Sequence, residues 1–148
     1  HTNTLEVLDG GNVLLSIRQL DALAILDPDK EEIVWMRRGS WRKQHQPTLL
    51  DDGSILLFDN LGSRVIEIDP RTGKVRWQFG GLSSKTLGSV QRLPNGNTLI
   101  TESENGRALE VTRDGRVVWE FNNPHRAGEL MAVLFEVVRL PESFPFKG

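Results

Sequence analysis

Trp35, Trp77 and Trp119 stand 42 residues apart in a chain of 148, and a constant period of that length narrows the possible folds more than any other feature. Their neighbours recur with them. Leu8-Asp9-Gly10-Gly11-Asn12-Val13-Leu14-Leu15 aligns with Leu50-Asp51-Asp52-Gly53-Ser54-Ile55-Leu56-Leu57 and with Leu93-Pro94-Asn95-Gly96-Asn97-Thr98-Leu99-Ile100. A second block, Ala24-Ile25-Leu26-Asp27-Pro28, returns as Val65-Ile66-Glu67-Ile68-Asp69-Pro70 and as Ala108-Leu109-Glu110-Val111-Thr112. The copies close with Glu32-Ile33-Val34-Trp35, Gly73-Lys74-Val75-Arg76-Trp77 and Gly115-Arg116-Val117-Val118-Trp119. Turns such as Pro70-Arg71-Thr72-Gly73 and Arg113-Asp114-Gly115 suit tight hairpins, because glycine takes positive φ at no steric cost.

Four short antiparallel strands per repeat, with an aromatic at a fixed place, predict an all-β chain built as a β-propeller. The repeats run over about 1–42, 43–85 and 86–128, giving three four-stranded blades with the repeated tryptophan packed between neighbours. Phe135-Glu136-Val137-Val138-Arg139-Leu140-Pro141 echoes Gly88-Ser89-Val90-Gln91-Arg92-Leu93-Pro94, which predicts one extra, closing or fourth-blade strand within 130–141. Propellers close with about four to eight blades. Three blades and a strand therefore call for further blades from the same longer chain, a second copy or another polypeptide. The first is favoured because His1 begins abruptly ahead of the first strand.

Composition excludes several classes of function. Eighteen basic against twenty acidic residues leave a formal charge of −2, with no positive field to attract a phosphate backbone, so nucleic acid is not an expected partner. No run approaches the roughly 18 apolar residues of a membrane-crossing helix, so this segment has no expected membrane span. With no cysteine there is no disulfide, thiolate nucleophile or cysteine zinc site, and the compartment stays open.

Polar residues that interrupt the repeat on the channel side are the candidates for chemistry. Arg18, Asn60 and Ser103 follow the second strand of successive repeats. His1-Thr2-Asn3 and Gln44-His45-Gln46-Pro47 precede the first strands, so two histidines fall at nearly matching places in adjacent blades. Taken singly, a histidine near a loop is more often a solvated surface group. Jointly, two imidazoles and a guanidinium suit a tetrahedral oxyanion such as sulfate or phosphate, and a neutral imidazole can act as nucleophile or general base. No ligand spacing such as His-x-x-x-His points to a metal. Asp59 and Asn60 can orient a histidine or simply end a strand, and Glu102 and Glu104 read first as solvated loop carboxylates. The loop Asn122-Asn123-Pro124-His125-Arg126 reads as structural or surface. The absence of a Gly-x-Ser-x-Gly context and of a glycine-rich phosphate loop argues against serine hydrolases and nucleotide binding.

The run His1-Thr2-Asn3, the segment Leu14-Leu15-Ser16-Ile17-Arg18-Gln19-Leu20-Asp21-Ala22-Leu23-Ala24-Ile25-Leu26-Asp27 and Ile33-Val34-Trp35 resemble the bacterial PAPS-independent arylsulfotransferases. So do Gln44-His45-Gln46-Pro47 with Leu56-Leu57-Phe58-Asp59-Asn60, and the closing stretch from Asn123 to Leu140. The resemblance implies the C-terminal half of a six-bladed propeller. It also implies ping-pong transfer of a sulfuryl group from a small phenolic sulfate donor to a phenol acceptor, with no diffusible cofactor. It makes His45 the nucleophile that becomes sulfohistidine, has His1 and Arg18 hold the sulfate oxygens, and gives substrate-binding roles to Asn3 and Asn60. It implies a periplasmic or extracellular setting. The chain departs from many relatives in having Gln19 after Arg18 where they have histidine, and the family's site draws a further histidine from blades upstream. Two other readings stay open: a non-catalytic propeller that binds or assembles, and a quinone-dependent dehydrogenase propeller, against which the lack of vicinal cysteines stands.

Overall fold

The computed structural model describes residues 1–145. It contains three four-stranded antiparallel sheets in simple sequence order. The first is β1 (Thr2–Val7), β2 (Val13–Ile17), β3 (Ala22–Asp27) and β4 (Glu32–Arg38). The second is β5 (His45–Leu49), β6 (Ile55–Asp59), β7 (Arg64–Ile68) and β8 (Val75–Gly80). The third is β9 (Ser89–Arg92), β10 (Thr98–Glu102), β11 (Arg107–Val111) and β12 (Val117–Asn122). A two-stranded ribbon follows, β13 (Arg126–Ala127) with β14 (Leu130–Met131). Each sheet is one blade of a β-propeller, and no helix among the described residues is long and apolar enough to cross a membrane.

Two apolar layers hold the blades together. Leu14 and Leu23 of the first blade meet Ile55, Leu57, Ile66 and Ile68 of the second, with Trp41 buried among them. The alternate residues of the same strands, Leu56, Phe58 and Val65, turn the other way with Trp77 and pack on Val90, Ile100, Leu109 and Val111 of the third blade. This is why β6 is buried along its whole length: a strand covered on both faces reads as a continuous apolar run rather than an alternating one.

Buried carboxylates fix the entry to the second and third blades. Asp59 Oδ1 accepts the Arg42 amide at 2.9 Å, and Glu102, at the equivalent strand end, accepts the Ser83 amide. The inner strands are tied in the same way. Glu6 on β1 accepts the Leu49 amide of β5 at 2.9 Å, and Gln91 on β9 accepts the Arg139 amide at 2.8 Å.

That last bond locates the tail. Residues 134–139 lie where the inner strand of a next blade would sit, with the Val137 amide on Thr101 Oγ1 at 3.0 Å and the Leu134 amide on the Ser103 carbonyl at 3.1 Å. The strand predicted within 130–141 is nonetheless not a ladder strand beyond Leu130–Met131. An inner strand pairs with the second strand of its own blade, as β1 does with β2, and no such partner lies beside 134–140 among the described residues. The repeated tryptophans differ for the same reason. Trp77 is buried against the third blade and Trp35 half-buried against the second, whereas Trp119, also expected between blades, is 41% exposed because no blade covers it among the described residues.

Candidate functional site

The inner strands and the tail meet at one level. Asn3, His45, Gly88 and Phe135, which occupy corresponding positions in β1, in β5, just ahead of β9 and in the tail, line a cavity of about 220 Å³ with Thr4, Gln46, Leu87 and Glu136. The successive blades thus offer an amide, an imidazole, a bare backbone and an aromatic ring to the same space.

His45 projects here because its strand is irregular. The pairing of β5 with β6 slips between His45 and Thr48, and Gln46 takes φ 42 and Lys43 φ 56, the left-handed region that non-glycine residues seldom enter. Side chains from the first blade hold this shape: Asp21 accepts the Lys43 amide at 2.8 Å, and Thr4 Oγ1 accepts the Gln46 amide at 3.1 Å.

Behind the imidazole sits Asn60, buried, with its Oδ1 at 2.8 Å from His45 Nδ1. The orientation of the amide is fixed because Nδ2 donates to the carbonyls of Ser84 and Leu87, both at 2.7 Å. Oδ1 can only accept, so His45 Nδ1 carries the hydrogen and Nε2 presents its lone pair. Nε2 has no hydrogen-bond partner among the described residues. Burial lowers the pKa of His45 from its ordinary value, and the Arg18 charge adds to that, while the Asn60 bond, the Lys43 carbonyl and Glu104 act in the opposite sense. The group is therefore neutral and nucleophilic at pH 7.

Glu104 is neither free nor merely solvated. Its carboxylate accepts the Lys85 amide at 2.8 Å, the Thr86 amide at 3.1 Å and the Thr86 hydroxyl. It thereby clamps the loop whose Ser84 and Leu87 carbonyls hold Asn60. Glu102 is buried and bonded to Ser83, Asn105 and Arg107. Neither role is visible in the sequence, because the loop each one holds lies about 19 residues away and has no regular pattern.

The remaining candidates sit round this point unequally. Asn3 donates from Nδ2 to the Gln44 carbonyl at 2.9 Å, and its Oδ1 is buried with no partner. Arg18 is half-buried, close enough to depress the His45 pKa, and its guanidinium has no hydrogen bond or ion pair among the described residues. His1 is exposed and is joined to Arg18 through the backbone, its carbonyl accepting the Arg18 amide at 3.1 Å. Neither His1 nor Arg18 lines the His45 cavity. The two histidines are also not equivalent: the position matching His45 in the first blade is Asn3, and His1 stands two residues earlier. The loop with His125 and Arg126 is exposed, apart from Asn123, which is buried and caps it. Among the described residues no three His, Asp or Glu side chains cluster closely enough to hold a metal ion.

A family model for arylsulfotransferases (ASST) matches residues 1–124, a stretch that includes all three blades with His45, Asn60, Arg18 and Asn3. The chain belongs to the arylsulfotransferase family. No curated protein matches it. Among solved structures, this chain is similar to virginiamycin B lyase from Staphylococcus aureus, with 19% identity and a TM-score of 0.63 over 84% of this chain and 42% of that one. A protein of unknown function from Bacteroides caccae gives 20% identity and 0.62 over 82% and 46%. The WD40 propeller domain of Doa1 gives 16% and 0.67 over 83% and 41%. At such identities the likeness shows the propeller fold alone, and the chain spans less than half the length of each of these structures.

Proposed function

We propose that this chain carries the nucleophile of an arylsulfotransferase that moves a sulfuryl group from a phenolic sulfate ester to a phenol through a sulfohistidine at His45. The observation that carries the reading is the Asn60–His45 bond, which leaves Nε2 unprotonated and unpartnered within a segment that belongs to this family. The Nε2 lone pair attacks sulfur, the sulfur–oxygen bond to the aryl ring breaks, and the phenolate leaves with that electron pair and takes a proton from solvent. The imidazole keeps its Nδ1 hydrogen on Asn60 while it holds the sulfuryl group as a cation. The acceptor's oxygen then attacks sulfur, the nitrogen–sulfur bond breaks back to the lone pair, and the acceptor's proton is released to solvent.

Arg18, His1 and Asn3 take the sulfate oxygens in this scheme, where fixed positive charge favours the charge that spreads over the transferring group. Further blades, from the same polypeptide or another, complete the ring and supply the rest of the pocket, and the enzyme works in the periplasm or outside the cell. The test uses the complete protein with p-nitrophenyl sulfate as donor and phenol as acceptor. His45→Asn is expected to abolish transfer and the trapping of a sulfurylated protein, and undiminished turnover in that variant rejects the reading.

A further inference from the structure

The cavity at His45 has two unlike halves. Asn3, Thr4, His45 and Gln46, from the first and second blades, make a polar wall, joined from the tail by Glu136, which accepts from Gln46 Nε2 at 2.6 Å, and Leu87, Gly88 and Phe135 make up the apolar remainder. Phe135 occupies in the tail the position that His45 occupies in β5, and it is 78% exposed, far more than any aromatic of the blade cores. Covering such a ring is favourable, and a bound aromatic group in this space would cover it.

Gly88 is held close against the core. Its φ is 144, and a Cβ there would lie 2.7 Å from the Phe58 ring, which is itself fully buried and cannot yield. Of the four corresponding positions, the one between the histidine and the phenylalanine therefore carries no side chain. The result is a slot floored by backbone, with the imidazole at one side and an aromatic ring at the other. The tail is held in place independently of Phe135's side chain, by the Leu134 and Val137 amides and by Ser103 Oγ on the Phe135 carbonyl at 3.4 Å.

We infer that Phe135, with Leu87 and the bare backbone of Gly88, forms the subsite for the aromatic ring of a sulfate ester whose sulfuryl group is directed at His45. A flat ring over Gly88 meets the Phe135 ring edge-on or offset, the arrangements in which aromatic pairs gain most beyond burial. The headgroup then lies toward His45 on the other wall. The inference rests on the sulfuryl-transfer reading for the identity of that headgroup, and on the cavity alone for the ring. Phe135 lies outside residues 1–124, which match the family model.

The experiment measures binding in the complete protein with His45→Asn, which moves no sulfuryl group, and compares it with His45→Asn/Phe135→Ala and His45→Asn/Phe135→Trp. The probes are p-nitrophenyl sulfate and inorganic sulfate, followed by calorimetry. Phe135→Ala should weaken p-nitrophenyl sulfate about tenfold and leave inorganic sulfate unchanged, and Phe135→Trp should retain the aryl affinity. An unchanged aryl affinity, an equal loss for both probes, or no aryl sulfate binding in the parent overturns the inference. Phe135-dependent aryl binding, together with no sulfuryl transfer by the complete protein that retains His45, would reject the transfer reading alone. Turnover with the KM for aryl donors unaltered by Phe135→Ala would reject the subsite alone.

Discussion

Asn60 decides which nitrogen of His45 bears the hydrogen. Its Oδ1 faces Nδ1 at 2.8 Å, and the Ser84 and Leu87 carbonyls, which take both amide hydrogens, prevent the group from turning over. Asn60→Ala should therefore release the tautomer and lower kcat by on the order of 10- to 100-fold, the scale seen when the outer partner of a functional histidine is removed, with KM moved less. Nitrogen-15 shifts of the His45 ring provide a check independent of activity. If the Nδ1-protonated form persists in Asn60→Ala, Asn60 does not orient the ring.

Glu104 stands one step further back. Because its carboxylate orders Lys85 and Thr86, and this loop orders Asn60, Glu104→Ala should lower kcat and broaden the His45 ring signals while leaving binding of inorganic sulfate intact. The Thr86 hydroxyl and the Lys85 and Thr86 amides hold its pKa below the ordinary carboxylate value. The loop's order is thus fully present above pH 4.5 and is lost as the pH falls through that depressed pKa. Amide exchange of residues 84–87 against pH reads this directly.

The pKa of His45 lies below 6.5, chiefly through burial and then through Arg18. The nucleophile is the neutral form, so kcat/KM should rise from acid pH with the midpoint of the rise below 6.5. Stability runs the same way: the folded state binds the proton less readily than the unfolded chain, so stability is highest above 6.5 and declines as the pH falls from there toward the folded pKa. Arg18→Gln removes a repelling charge and should shift the acid limb of the rate profile upward. A limb that stays in place would show that Arg18 does not act on His45.

The blades are legible in the amino-acid sequence and the site is much less so. The 42-residue spacing marks the blades because each must repeat the same burial pattern against its neighbours, and the Gly turns mark the hairpins. Arg18, Asn60 and Ser103 do fall at matching strand ends. The slip that aims His45, by contrast, depends on Thr4 and Asp21, more than 20 residues away, and leaves no local signature at Gln46 or Lys43. The near-match of His1 with His45 hides a two-residue offset, which at about 3.3 Å per residue carries His1 roughly 7 Å further along its strand. The carboxylates of Glu102 and Glu104 look like any loop acid in sequence, since what they bind is largely backbone.

Blades two and three are pinned through one buried carboxylate. Glu67, 3% exposed, accepts Arg92 at 2.8 Å and also Arg113, and both guanidiniums lie on the Trp77 ring, at 5.2 and 5.5 Å from its centroid. Trp77 Nε1 in turn donates to the Arg113 carbonyl at 2.8 Å. Glu67→Ala leaves Arg92 uncompensated and should cost about 3 kcal/mol, the lower end for a broken buried pair because Arg113 keeps contact with water. Trp77→Ala should cost about 3–5 kcal/mol. Because the two share partners, the double variant should lose clearly less than the sum in urea denaturation, and strict additivity would show that no shared network exists.

Trp119 gives the sharpest test of ring completion. It matches Trp77 in the repeat, stacks on Phe121 with centroids 6.4 Å apart, and yet is 41% exposed, while Trp77 and Phe79 are covered by the following blade. For this chain by itself Trp119→Ala should cost about 1 kcal/mol or less, as expected of a side chain that makes few buried contacts. If further blades close the ring beyond the tail, the same substitution in the complete protein should cost about 3–5 kcal/mol, like Trp77→Ala, and the Trp119 emission should shift to shorter wavelength. An equally small cost in both settings would mean that the face bearing Trp119 stays open, and that the tail at 134–139 is the last element on that side of the ring.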